Sequence, residues 1–123
     1  MILYMASDLM WATRLKSTAE QLGFGARPVR SIEMLEARLS EGLPAGLIVD
    51  LEKPELAVEL IRRLREEPEA GEIPVIAFGP HVAADALRSA RQAGATEALP
   101  RGLFTQRLPE ILTVMGAPGA EAT

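Results

Sequence analysis

Five short apolar runs alternate with five stretches of helical period, and that alternation predicts an α/β protein: a parallel sheet with helices on both faces, joined by right-handed crossovers. Two further observations agree. The chain has 123 residues, enough to bury a core in one domain, and 48% of them are hydrophobic, which sets it apart from a disordered chain. It shows no internal repeat and no linker, so the expected organisation is one domain over residues 1–115 and a flexible tail over 116–123.

The elements follow in order. Ile2-Leu3-Tyr4-Met5-Ala6 reads as a buried strand. Trp11, Leu15, Thr18/Ala19 and Leu22 then recur at helical spacing, and Gly23 stands where a helix C-terminus favours a left-handed residue. Ala26 to Arg30 is a weak second strand. Ser31 is a candidate N-cap for a helix with Ile32, Leu35 and Leu39 on one face and Glu33 in its first turn. After a turn from Gly42 to Gly46, Leu47-Ile48-Val49 is the third strand. Pro54 opens the next helix, where its missing N–H costs nothing, and Leu56, Leu60 and Leu64 form the apolar stripe.

Past a polar loop, Ile73-Pro74-Val75-Ile76-Ala77-Phe78 is a strand with proline near its start. Gly79 and Pro80 break the chain before a helix from Val82 to Ala93 that Gly94 caps. A short strand over Glu97 to Leu99 precedes a last helix carrying Phe104, Leu108, Ile111, Leu112 and Met115, with Pro109 marking a kink or a restart. Among doubly wound folds, a five-stranded sheet of this size is flavodoxin-like, with strand order 2-1-3-4-5.

Composition narrows the function. A net charge of −4 with basic residues scattered among acids argues against a nucleic-acid-binding face. No cysteine means no disulfide framework, no thiolate metal site and no cysteine nucleophile. The first residues, MILYMASDLMW, carry no basic leader, and no apolar run approaches a bilayer span, so a cytoplasmic protein without membrane contact is expected.

In open α/β sheets, ligands bind outside the carboxyl ends of the strands. That rule selects Ser7 and Asp8 after the first strand, Asp50 and Glu52 after the third, Gly79 to His81 after the fourth, and Arg101 after the fifth. Asp8 and Asp50, on strands expected to be neighbours, are placed to share a Mg2+ ion. A carboxylate there is also placed to attack phosphorus and form an aspartyl phosphate. The plainer alternative is that each acid accepts backbone N–H bonds of the next turn or caps the next helix. Trp11 is expected to pack near the start of the first helix, and His81 has no partner that would make a metal pair. The glycines form no dinucleotide or phosphate-loop pattern.

The stretch LIVDLEKP, residues 47 to 54, together with the strand around Pro74-Val75-Ile76 and the Gly94-Ala95-Thr96 segment seven residues before Arg101, resembles the receiver domain of two-component response regulators, the CheY-like family, over roughly residues 1 to 115. The resemblance implies that Asp50 is the phosphoacceptor, with Pro54 as the family's proline. It implies further that Asp8, Asp50 and the Glu52 backbone carbonyl hold Mg2+, and that Arg101 stands at the phosphoryl-binding lysine. It departs from the family at four places. Ser7 replaces one of two adjacent acids, Gly79 replaces the Ser or Thr that bonds the phosphoryl group, Ala98 replaces the aromatic switch residue, and Pro100 precedes Arg101 where the family has proline after its lysine.

Three readings stay open. One is an atypical receiver-like module, not an enzyme, that binds a protein partner with impaired or no phosphorylation switching. Another is a single-domain response regulator phosphorylated on Asp50 by a histidine kinase with Mg2+. The third is an unrelated small enzyme or ligand-binding protein on the same fold. The departures favour the first. The family's output face, formed by the fourth helix, fifth strand and fifth helix, is then the expected surface for an output protein or a homodimer, and Ala83, Ala84, Leu87, Ala90 and Ala93 supply its apolar residues.

Overall fold

A computed structural model of the chain describes residues 1–80 and 82–116. Five strands, β1 (Ile2–Met5), β2 (Ala26–Pro28), β3 (Gly46–Asp50), β4 (Val75–Gly79) and β5 (Glu97–Pro100), alternate with five helices, α1 (Leu9–Gln21), α2 (Ile32–Ser40), α3 (Pro54–Arg65), α4 (Ala84–Ala93) and α5 (Arg101–Gly116). All pairings are parallel and the order is β2-β1-β3-β4-β5, as the alternation predicts. The order reverses between β1 and β3, the place where this class of sheet opens a crevice.

Strand alternation divides the core in two. Leu3, Met5, Leu47, Val49, Val75 and Ala77 point to one face, where they meet Leu35 of α2, Leu60, Ile61 and Leu64 of α3, and Leu87 and Ala90 of α4. Ile2, Tyr4, Ile48, Ile76, Phe78 and Leu99 point to the other, against Trp11 and Leu15 of α1 and Phe104, Leu108 and Leu112 of α5. Because β1, β3 and β4 are buried on both faces, they read as continuous apolar runs.

The helix boundaries have local causes. Ser31 accepts a hydrogen bond from the Met34 amide at 3.1 Å, the expected N-cap, and Pro54 occupies the first turn of α3. Gly23 and Gly94 follow α1 and α4 with φ of 87° and 121°, where side chains are rarely accommodated. The last helix has no restart at Pro109. It starts at Arg101, directly after β5, and runs through Pro109 to Gly116 without a break. The predicted tail therefore begins inside the helix at Gly116, and its remainder lies outside the described residues.

Arg65 closes the far side of the sheet. Its Nε donates to the Gly94 carbonyl at 2.9 Å and a terminal nitrogen donates to the Ala70 carbonyl at 2.7 Å, joining the end of α3 to the end of α4. Desolvation lowers its pKa from the ordinary arginine value. Among the described residues, no helix is long and apolar enough to cross a membrane.

Candidate functional site at the ends of the central strands

Asp50 ends β3 and is the only buried charged residue among those described, with 0% exposure. Its Oδ1 accepts from the Glu52 amide at 3.0 Å and its Oδ2 from the Ser7 amide at 3.2 Å. One bond comes from the following turn and the other from the end of β1, across the point where strand order reverses. A buried carboxylate requires such donors, because its desolvation is otherwise uncompensated.

Asp8 is the N-cap of α1, and its Oδ1 accepts from the Trp11 amide at 2.8 Å. Both acids thus make the backbone bonds of the plainer sequence reading. Those bonds do not exhaust Asp8, which is exposed and carries a second carboxylate oxygen.

Arg101 opens α5 beside this edge. Its terminal nitrogen pairs with Glu52 Oε1 at 3.1 Å, and its guanidinium lies 6.0 Å from the centre of the Trp11 ring. Trp11 is buried and packs on Phe78 and Phe104, whose rings stack at 4.2 Å. The cation is therefore held by a carboxylate two residues past Asp50 and by an aromatic column rising from the core. The sequence points to Arg101 but not to Glu52 as its side-chain partner, since a pair 49 residues apart leaves no local signal.

Gly79 is the last residue of β4, one past Phe78, which pairs with Asp50 on the side opposite β1. A Cβ there would lie 3.0 Å from the Cβ of Leu51, so the position is closed to a side chain unless Leu51 yields. Ala98 is buried in the core, and no aromatic group stands at its position. His81 falls outside the described residues. Two side-chain atoms at this edge of the sheet, Ser7 Oγ and Arg101 Nε, are buried with no hydrogen-bond partner among the described residues.

Asp8 and Asp50 are the two aspartates at this edge that could hold Mg2+, an ion that ordinarily takes one or two carboxylates and keeps several waters. No group of three or more His, Cys, Asp or Glu side chains able to hold a metal occurs among the described residues.

On the candidate output face, Leu87, Ala90 and Ala93 of α4 turn into the core, while Ala84 is exposed and Ala83 half-buried. The outer surface of α4 carries Asp85 and Arg88, paired at 2.9 Å. On α5, Leu103 and Val114 are exposed.

No protein-family model matches the chain, and no curated protein matches it. Solved structures do. A candidate response regulator from Chloroflexus aurantiacus J-10-fl is 23% identical, with 91% of this chain and 96% of that chain covered at a TM-score of 0.74. The chemotaxis response regulator CheY4 of Vibrio cholerae is 14% identical, with 93% and 96% covered and a TM-score of 0.76. The receiver domain of the sensor histidine kinase PA1611 from Pseudomonas aeruginosa PAO1, with a magnesium ion coordinated in its active site cleft, is 17% identical, with 94% and 97% covered and a TM-score of 0.75. At these identities the likeness is one of architecture: this chain has the CheY-like fold seen in response-regulator receiver domains.

Proposed function

We propose that the chain is an atypical receiver domain of two-component signalling, a non-enzymatic module whose Asp50 can accept a phosphoryl group but whose strand-four and strand-five switch is dismantled. The observation that carries this reading is the placement of Asp50: a wholly buried carboxylate at the switch point of the sheet, oriented by the Ser7 and Glu52 amides. In the reaction, a carboxylate oxygen of Asp50 attacks the phosphorus of a phosphodonor. The new O–P bond forms as the donor's bond to phosphorus breaks, and the leaving group departs with that electron pair. Asp8, Asp50 and the Glu52 backbone carbonyl would hold Mg2+, with Ser7 at the position of the missing acid. When bound, the ion would supply positive charge toward the phosphoryl oxygens. One carboxylate fewer than the family pattern means weaker cation binding.

Output differs from the ordinary scheme. With Gly79 and Ala98, two groups that would make different contacts in the free and modified states are missing, and a modification without differential contacts shifts no equilibrium. Partners, a histidine kinase and an output protein or a second copy, are accordingly recognised through surface contact in the cytoplasm. One feature favours a second reading, in which Asp50 takes no phosphate: Arg101, at the lysine position, is engaged by Glu52.

Intact mass after incubation with acetyl phosphate separates the two. A Mg2+-dependent gain of one phosphoryl group by the wild type, absent from Asp50→Asn, is expected. Labelling that persists in Asp50→Asn removes Asp50 from the reaction, and a wild type that never gains mass leaves a receiver-shaped binding module.

A further inference from the structure

We infer that Ser7 supplies the phosphoryl-binding hydroxyl that position 79 lacks, so that this function has moved from the end of β4 to the end of β1. The inference rests on the reading of Asp50 as phosphoacceptor and extends it to a residue that the sequence presents only as a lost acid.

Three observations converge. First, β3 lies between β1 and β4, so Ser7 and Gly79 flank Asp50 from its two sides. Second, the β4 side is tight, and a side chain fits there only if Leu51 yields. A Cβ on Gly79 would stand 3.0 Å from Leu51 Cβ, and Leu51 is itself pinned by its amide to the Phe78 carbonyl at 2.8 Å. Third, the β1 side already addresses the carboxylate. The Ser7 amide donates to Asp50 Oδ2 at 3.2 Å, and the Oγ of the same residue is buried with no partner among the described residues.

A buried hydroxyl without a partner is unfavourable, and such groups in folded proteins call for an explanation. Ser7 Oγ stands about 3–4 Å from its own amide nitrogen by covalent geometry alone, on the residue that already touches Asp50. A phosphoryl oxygen there completes its bonding. The exchange of residue types is chemically coherent. An ionised acid at position 7 can only accept hydrogen bonds and would hold a cation, whereas serine donates one and so turns toward the anion. Ser7 is a positioning residue in this scheme: the nucleophile remains Asp50.

The test uses beryllofluoride, a phosphoryl mimic, titrated with Mg2+ into the full chain and followed by fluorine NMR, in wild type, Ser7→Ala, Ser7→Thr and Ser7→Asp. Ser7→Ala should weaken beryllofluoride binding by about 10- to 100-fold, the effect of one hydrogen bond to a charged group, and displace one bound-fluorine resonance. Ser7→Thr, which keeps the hydroxyl, should stay close to wild type. Equal beryllofluoride affinity in wild type and Ser7→Ala overturns the role of the hydroxyl and leaves Asp50 standing. Binding seen only in Ser7→Asp does the same, since the hydroxyl is then insufficient. No binding in any of the four proteins overturns the Asp50 reading and this inference together.

Discussion

Replacing Gly79 by threonine restores a hydroxyl to the family's position, and on sequence alone it should strengthen the response to a phosphoryl mimic. The structure sets a cost on that repair. The added Cβ comes within 3.0 Å of Leu51 Cβ and 3.5 Å of Leu51 Cδ1. The nearer atom belongs to a buried residue whose amide is bonded to the Phe78 carbonyl, so relief requires moving backbone rather than a free side-chain end. Overpacking of this sort costs about 1–3 kcal/mol, against which removing a glycine at the end of a strand returns at most about 0.5–1 kcal/mol. Gly79→Ala should therefore lose about 1 kcal/mol, and Gly79→Thr somewhat more, because its branch adds volume at the same place. Urea denaturation reads this as a lower midpoint at unchanged slope. The opposite sign is what β-propensity alone would give, since threonine suits strands and glycine does not. If both variants prove as stable as the wild type or more so, position 79 is not closed, and one support of the Ser7 inference goes with it. A folded Gly79→Thr that binds beryllofluoride no better than the wild type would show that the lost hydroxyl is not what weakens the switch.

Two further outcomes concern the scaffold. Arg65→Met removes the donors to the Gly94 and Ala70 carbonyls and should cost about 1–3 kcal/mol in a urea melt; Arg65→Lys should not restore it, because an ammonium lacks the planar fork that reaches both oxygens, and a full rescue by lysine would count against the bridging role. Pro109→Ala should stabilise the protein, since Pro109 is exposed inside a helix that continues on both sides of it. The helix-interior penalty of about 3 kcal/mol, less the about 0.4–1 kcal/mol that proline saves by stiffening the unfolded chain, leaves a gain of about 2 kcal/mol, and a variant less stable than the wild type would assign Pro109 a packing role.

What the sequence conveys about this molecule depends on how local the cause is. The strands β1, β3 and β4 are legible because burial on both faces makes them continuous apolar runs, and the starts of α2 and α3 because Ser31 and Pro54 act within one turn. Asp50 is legible for a similar reason: a charged residue closing the apolar run Leu47-Ile48-Val49 has to lie at a strand end. Its environment is not legible. The partner of Arg101 lies 49 residues away, and the atom that closes position 79 belongs to Leu51, on a different segment of chain. The uninterrupted course of α5 through Pro109 is likewise set by packing, with Phe104, Leu108, Ile111, Leu112 and Met115 buried on both sides of the proline.

The same distinction bears on how a departure from a family pattern is interpreted. Read along the chain, Ser7 and Gly79 are two separate losses, an acid at one site and a hydroxyl at another. In the sheet they are neighbours of one residue, because β3 brings Asp50 between the ends of β1 and β4. A hydroxyl gained on one side and lost on the other is then a transfer across the nucleophile, at the expense of one cation ligand. That view makes the two positions interdependent: a hydroxyl returned to position 79 should matter more when Ser7 is alanine than when it is present. Equal gains from Gly79→Thr in the two backgrounds would mean that the two sides act independently, and would argue that Ser7 is only a lost acid.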